Sequence, residues 1–99
     1  MSDNLSLETL RKQLDTIDAN LVQLYEKRLD ICGQVAVYKH QTGKPILDAT
    51  REQEKIETVR SMAQDQENAN AIEHLFTQIM ADSRELQAKL IKDMDGETK

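Results

Sequence analysis

The sequence predicts an all-α fold of three helices in one domain, residues 1–99, and two observations lead to that prediction. The chain has few aromatic residues, no Trp, three Gly and one Pro, a composition that suits helices better than a β-sandwich or barrel. Apolar residues also recur at alternating spacings of three and four, as on the buried face of a helix. Ninety-nine residues are enough for one domain with a modest core.

Helix 1 is expected over residues 6–41. Ser6 is a good N-cap because its hydroxyl can accept a hydrogen bond from the first turn. Gly43 is expected to cap the other end, and Pro45 prevents the helix from continuing. The apolar seam of this helix consists of Leu7, Leu10, Leu14, Ile17, Leu21, Leu24, Ile31, Val35 and Tyr38.

Helices 2 and 3 complete the fold. Helix 2 is expected over residues 49–64, beginning near Asp48, and the stretch from Thr50 has the spacing of a capping box. Helix 3 is expected over residues 70–91, and residues 92–99 are expected to form a polar, frayed tail. The residues expected to face inward include Ile56, Val59 and Met62 or Ala63 on helix 2, and Leu75 on helix 3.

The predicted length of helix 1 indicates a homodimer. About 35 residues span roughly 50 Å, whereas a compact domain of this size has a diameter of roughly 35 Å. Helices 2 and 3 are too short to cover the whole seam. The remainder must be buried by another chain, most simply by an identical chain in an intertwined two-fold dimer.

One cation interrupts the seam of helix 1. Arg28 fills the step between Leu24 and Ile31, and a guanidinium in an apolar seam is costly unless an anion or an acceptor meets it. Lys39 lies within about 20° of Arg28 around the helix and roughly 16 Å along it, so the two cations could grip a small dianion. The alternative is that both side chains extend to water.

Arg11 is a third cation on this helix. It lies roughly 25 Å from Arg28 along the axis and about 100° around it. It therefore cannot serve the same small ligand from the same chain, but in an antiparallel dimer it could reach the partner's site.

Polar residues also occupy candidate positions on helices 2 and 3. Ser83 and Gln87 are spaced i,i+4 on the apolar side of helix 3, although a Ser that bonds to its own helix is common. Asp48, Arg51 and Glu52 fall within one turn. An N-cap, a favourable helix-dipole contact and a solvated cation would also explain these three residues.

Charge and motif content exclude several functions. The net charge of −5 argues against a general nucleic-acid binder, and no apolar run approaches the roughly 20 residues of a membrane span. His40 and His74 lack ligand-spaced companions, so we expect no metal and no cofactor.

The N-terminal residues do not resemble a signal peptide, and the single Cys32 suits a reducing compartment. A cytoplasmic location is therefore expected.

Taken together, these residues resemble the long-helix chorismate mutases of the AroQ type, an all-helical family. The resemblance covers about residues 7–91, and its joint match at eight polar positions is more specific than any one of them. The matching segments are LRKQLDTID (10–18), KR (27–28), VAVYK (35–39), PILDATRE (45–52), FTQIMADS (76–83) and Gln87.

The resemblance implies an isomerase, an interlocked dimer of three-helix chains that converts chorismate to prephenate in phenylalanine and tyrosine biosynthesis. It implies that Arg28 and the partner's Arg11 bind the substrate carboxylates, with Ser83 supporting one of them. Lys39 and Gln87 would donate hydrogen bonds to the ether oxygen.

The resemblance also assigns the residues at the ring end of the substrate. Glu52, with Asp48 nearby, would accept a hydrogen bond from the ring hydroxyl, and Arg51 would help to hold that end of the pocket. The resemblance assigns no role to Arg84, which follows Ser83.

Three rival functions remain open. An isochorismate–pyruvate lyase has the same helical fold, and a mutase acting on 4-amino-4-deoxychorismate would also suit the ring-end carboxylates. Glu52 and Asp48, placed for a ring hydroxyl, favour the chorismate mutase over the lyase. A non-catalytic helical dimer is the third rival. It requires a protein carboxylate to neutralise Arg28, and it predicts that chorismate does not raise the melting temperature.

Overall fold

The computed structural model describes residues 6–97, and within that range it contains three α-helices and no strand. The predicted all-α class is confirmed. In this part of the chain, no helix combines the length and apolar character that crossing a bilayer demands. The N-terminal residues used in the signal-peptide prediction, and the last two residues of the predicted tail, lie outside the described range. The helices are α1 (Leu7–Thr42), α2 (Ala49–Met62) and α3 (Ala69–Glu97), with a 3-10 helix (Gln66–Asn68) before α3.

Both ends of α1 follow the predicted signals. The Oγ atom of Ser6 accepts a hydrogen bond of 3.1 Å from the backbone N–H three residues later. At the other end Gly43 has a φ of +72°, a conformation that glycine adopts without steric cost. The N–H of Gly43 donates to the His40 carbonyl oxygen, and that of Lys44 donates to the Lys39 carbonyl oxygen. These two hydrogen bonds define a Schellman motif.

The start of α2 confirms the N-cap interpretation of Asp48 and corrects the capping-box spacing. Asp48, not Thr50, is the N-cap, because its Oδ1 atom accepts a 3.0 Å hydrogen bond from the Arg51 N–H. Thr50 already lies inside the helix, so the capping-box spacing that begins there is not used. The backbone of Asp48 is extended, as an N-cap requires.

The helix α3 is longer than predicted. The sequence placed its end at Ile91, but the helix continues to Glu97. Met94 extends the apolar stripe by one turn and is half-buried. Asp95 lies 3.0 Å from His40 of α1, measured between Oδ1 and Nε2. The partial burial of Met94 and the contact of Asp95 keep this segment helical, although its polar composition alone predicted a frayed tail.

The chain divides into two compact units, Met1–Ile31 and Cys32–Lys99, and the single domain stays a prediction. In the first unit, α1 does not bury its own apolar seam. The seven seam residues of this unit are between 40% and 63% exposed. They form one apolar stripe along the helix, whereas ordinary exposed apolar residues are scattered singly over a surface. The seven residues are Leu7, Leu10, Leu14, Ile17, Leu21, Leu24 and Ile31.

The second unit has a small core. Its buried apolar residues are Ala36, Ile56, Val59, Ala69 and Met80. Ile56 and Val59 confirm the predicted inner face of α2. One predicted core position is wrong, because Leu75 on α3 is exposed. Of the two residues offered for the last inward position of α2, Met62 is exposed. Ala63, the alternative to Met62, is half-buried.

Candidate active site

The eight predicted site residues are divided between the two units. Arg11 and Arg28 lie on α1 in the first unit, where Arg11 is exposed and Arg28 is half-buried. The other six lie in the second unit: Lys39 on α1, Asp48, Arg51 and Glu52 at the start of α2, and Ser83 and Gln87 on α3.

Gln87 is a buried hydrogen-bond donor on α3. Its side chain is only 6% exposed, and its Nε2 atom donates to the carbonyl oxygen of Cys32 on α1 at 2.9 Å. This bond joins α3 to α1 and fixes the direction of the amide. Because a Gln amide carries two N–H donors, the contact with Cys32 uses only one of them.

Ser83 lies one turn before Gln87 and is 7% exposed. Its hydroxyl donates to the Ile79 carbonyl oxygen of its own helix at 2.9 Å, and the Cys32 Sγ atom lies 3.5 Å from its Oγ atom. Ser83 therefore bonds to a carbonyl of its own helix, as a helical Ser commonly does. To donate to a substrate carboxylate, the hydroxyl proton would have to turn away from Ile79.

Lys39 is a half-buried cation in the last turn of α1. Its Nζ atom donates to the Ile46 carbonyl oxygen at 2.8 Å, which places the ammonium beside the connection that leads into α2. An ammonium has three N–H donors, so this bond leaves Lys39 able to donate to a further acceptor.

The N-cap role of Asp48 gives a stability prediction. We expect Asp48→Ala to lower the free energy of unfolding by about 1 kcal/mol, because α2 loses its cap, and we expect Asp48→Ser to retain most of that stability. Urea unfolding of both variants measures the difference. Equal stability of Asp48→Ala and the unchanged chain would contradict the cap. The Ser variant also removes the carboxylate without removing the cap, so any loss of activity can be attributed to the carboxylate.

Glu52 forms an ion pair that the sequence did not predict. Its Oε1 atom accepts a hydrogen bond from Nη1 of Arg84 on α3, and the side chains are 25% and 35% exposed, respectively. Both residues line a cavity of about 350 Å³, whose apolar wall includes Leu47, Ile56 and Met80. The two partners are 32 positions apart, so no local spacing connects them.

Comparison with known families identifies the family of this chain. The profile described as chorismate mutase type II matches residues 10–88. The chain belongs to this family. The resemblance found in the sequence is therefore confirmed, and all eight predicted site residues fall inside the matched range.

Three relatives are similar in sequence to part or most of this chain. The T-protein of Haemophilus influenzae is 36% identical over 84 residues, which cover 84% of this chain and 22% of that protein. The bifunctional chorismate mutase/prephenate dehydratase of Buchnera aphidicola subsp. Schizaphis graminum is 32% identical over 92 residues, covering 92% of this chain and 24% of that protein.

A 3-dehydroquinate dehydratase of Pyrobaculum aerophilum is 41% identical over 46 residues, which cover 46% of this chain and 15% of that protein. The chain thus spans less than a quarter of the length of each of these relatives. No solved structure matches the chain.

Proposed function

We propose that this chain is a chorismate mutase, which converts chorismate to prephenate in phenylalanine and tyrosine biosynthesis. The observation that carries the proposal is the family match over residues 10–88, since it includes every residue that the sequence singled out for the site. One relative that aligns with 92% of this chain also has chorismate mutase in its name.

The chemistry of this reaction suits the residues of the second unit. The rearrangement breaks the ether C–O bond of the enolpyruvyl group while a new C–C bond forms within the same molecule. It requires neither a nucleophile nor a proton transfer. A protein accelerates it by holding the compact conformer and by stabilising the negative charge that grows on the ether oxygen.

Lys39 and Gln87 are the donors that we assign to the ether oxygen. Each already donates one hydrogen bond to a backbone carbonyl, Lys39 to Ile46 and Gln87 to Cys32. These bonds orient the two side chains in advance, and each side chain retains further N–H groups. Donors that are oriented before the reaction stabilise developing charge without a reorganisation cost.

The substrate carboxylates are assigned to arginines. We assign Arg28 and the partner's Arg11 to the two carboxylates, since a planar guanidinium can donate two parallel hydrogen bonds to one carboxylate. Ser83 supports one of these carboxylates through its hydroxyl. A chain with a net charge of −5 needs such local positive potential to attract a dianion.

The ring end of the substrate is assigned to the first turn of α2. Glu52 accepts the hydrogen bond of the ring hydroxyl, Asp48 lies one helical turn before it, and Arg51 holds the same end. Because the N-cap bond uses Oδ1 of Asp48, its second carboxylate oxygen can accept a bond elsewhere.

An intertwined homodimer is part of this proposal. The exposed seam of the first unit supports it, because burying one Leu contributes about 1.5–3 kcal/mol and a second copy would bring an identical seam. In such a dimer Arg11 would enter the site of the partner, which is why each site would depend on both chains.

Mixing two variants tests this sharing of residues. Arg11→Ala and Arg28→Ala should each abolish most of the activity. After the two proteins are unfolded together and refolded, about half of the dimers are mixed and one of their two sites has both arginines, so about a quarter of the activity should return. No recovery, with mixed dimers demonstrated by mass spectrometry, would contradict a partner's Arg11 in the site.

A panel of three substrates tests the proposed reaction against its rivals. We expect the purified protein to have its highest kcat/KM for chorismate. Release of pyruvate from isochorismate at a higher kcat/KM would establish the lyase, and preference for 4-amino-4-deoxychorismate would establish the amino-substrate mutase. If none of the three is consumed and chorismate does not raise the melting temperature, the non-catalytic dimer is favoured.

A cytoplasmic location is also proposed. The sequence contains a single Cys, which cannot form an internal disulfide and suits a reducing compartment. Recovery of the protein in the soluble cytoplasmic fraction of its native cells would agree with this location, and recovery in a secreted fraction would contradict it.

A further inference from the structure

We propose that Arg84 determines which ring substituent the site accepts, because it both positions Glu52 and cancels its charge. The inference rests on the proposed function, in which Glu52 meets the substituent on the substrate ring. In this role Arg84 is a positioning residue, and it favours a neutral hydroxyl over a protonated amine.

The ion pair constrains Glu52 from a second helix. Nη1 of Arg84 donates to Oε1 of Glu52, so a carboxylate on α2 is oriented by a cation on α3. Both side chains are more than half buried, and Arg84 directly follows Ser83, which we assign to a substrate carboxylate. The pair therefore lies next to the proposed site and is partly shielded from water.

Arg84 positions Glu52 by binding one of its two carboxylate oxygens. A Glu side chain has several rotatable bonds, and ordering it during binding would reduce affinity. Arg84 holds one oxygen, whereas a carboxylate can accept at both. The second oxygen, Oε2, can therefore accept the hydrogen bond of a ring hydroxyl from an already ordered side chain.

The selectivity for a ring hydroxyl over a protonated ring amine follows from the charges around the cavity. Its lining includes two carboxylates, Glu52 and Glu73, and each is paired with an arginine. Glu73 accepts a 2.7 Å hydrogen bond from Arg60, while Glu52 is paired with Arg84. An amine on the substrate ring is largely protonated at neutral pH, as aliphatic amines are. Such a cation would gain little from a carboxylate that is already neutralised and would be repelled by Arg84.

Substitutions at Arg84 separate the two effects. Arg84→Met removes the hydrogen bond and the charge, Arg84→Gln retains a donor for Glu52 without the charge, and Arg84→Lys retains the charge. The readout is kcat and KM for chorismate and for 4-amino-4-deoxychorismate. Arg60→Met is the matched control, because Arg60 forms the other ion pair between α2 and α3 and has no assigned role in the site.

We expect the Met variant to lower the kcat/KM ratio of chorismate to its amino analogue by about tenfold, mainly through KM. The Gln variant should shift the ratio in the same direction while its kcat/KM for chorismate stays within about threefold of the unchanged protein. The Lys variant should leave the ratio unchanged. The Arg60→Met control should change it by less than Arg84→Met does, because the carboxylate that it unpairs, Glu73, is not the one assigned to the ring substituent.

Two results would overturn the inference. An unchanged ratio in both the Met and Gln variants of an active enzyme would show that Arg84 only joins α2 to α3, and would leave the proposed function intact. If the unchanged protein consumes neither substrate, the proposed function fails and this inference fails with it. Should Arg84→Met not fold, the Gln variant decides alone.

Discussion

Replacing Lys39 by Met is expected to lower kcat/KM for chorismate by roughly 100- to 1,000-fold, which corresponds to about 3–4 kcal/mol of transition-state stabilisation. The substitution removes one oriented donor from the ether oxygen at the point where negative charge develops. Steady-state kinetics on the purified variant measure the effect. The loss should appear mainly in kcat, with KM little changed, because the contact strengthens only as the C–O bond breaks.

A control for this variant exists at the same end of α1. Lys44 follows the helix, and its ammonium lies 5.5 Å from the centroid of the Tyr38 ring, so Lys44→Met removes a nearby lysine without touching the assigned donor. We expect nearly unchanged kinetics. Lys39→Met also loses a hydrogen bond to Ile46, which costs about 1 kcal/mol of stability, so unfolding curves must accompany the kinetics. A folded Lys39→Met protein with ordinary turnover would show that the assigned role is wrong.

Replacing Leu21 by Glu is expected to convert the proposed dimer into inactive monomers. Leu21 lies in the exposed seam of the first unit, and a buried carboxylate there would be desolvated without a partner. Two-fold symmetry places the substitution in the interface twice. Sedimentation at micromolar concentration should show a monomer, and activity should be lost because no partner's Arg11 reaches the site.

Gln23→Glu is the matched control for the seam variant. It adds the same charge to the same helix, but Gln23 lies about 160° around the axis from Leu21. We expect this control to sediment as the unchanged protein does and to retain its activity. A Leu21→Glu protein that is monomeric and fully active would contradict a site shared between two chains.

Residues near each end of α1 predicted where this helix begins and ends, because local backbone geometry determines both ends. Ser6 and Gly43 act through hydrogen bonds within a few residues, so their effect can be read from neighbouring positions. The end of α3 could not be predicted in this way, because the contact of Asp95 with His40 joins residues that are far apart in the sequence. The choice of Asp48 over Thr50 as the cap of α2 also had to be resolved by the structure.

Helical spacing predicted the burial of two candidate site residues. The i,i+4 spacing of Ser83 and Gln87 placed both on one inward face, and both are buried. Their partners could not be predicted, since the contacts with Cys32 depend on how α1 and α3 pack. The pairing of Glu52 with Arg84 was missed for the same reason, although Arg84 stood out as a residue without an assigned role.

The interpretation of Arg28 depended on burial. The apolar spacing of α1 predicts a cation inside a covered seam, yet the seam neighbours of Arg28, Leu24 and Ile31, are exposed in the first unit. The desolvation cost of Arg28 would therefore arise in full only after another chain covers the seam. Under the proposed function, the substrate carboxylate meets the guanidinium in that assembled state.

The measurement that tests the central claim most directly is chorismate turnover by the purified protein, produced in a host that lacks its own chorismate mutase. The loss of the diene absorbance follows consumption, and acid treatment converts prephenate to phenylpyruvate for identification. We predict rapid consumption with phenylpyruvate as the acid-treated product. Chorismate that remains intact, or a product other than prephenate, would contradict the proposed function.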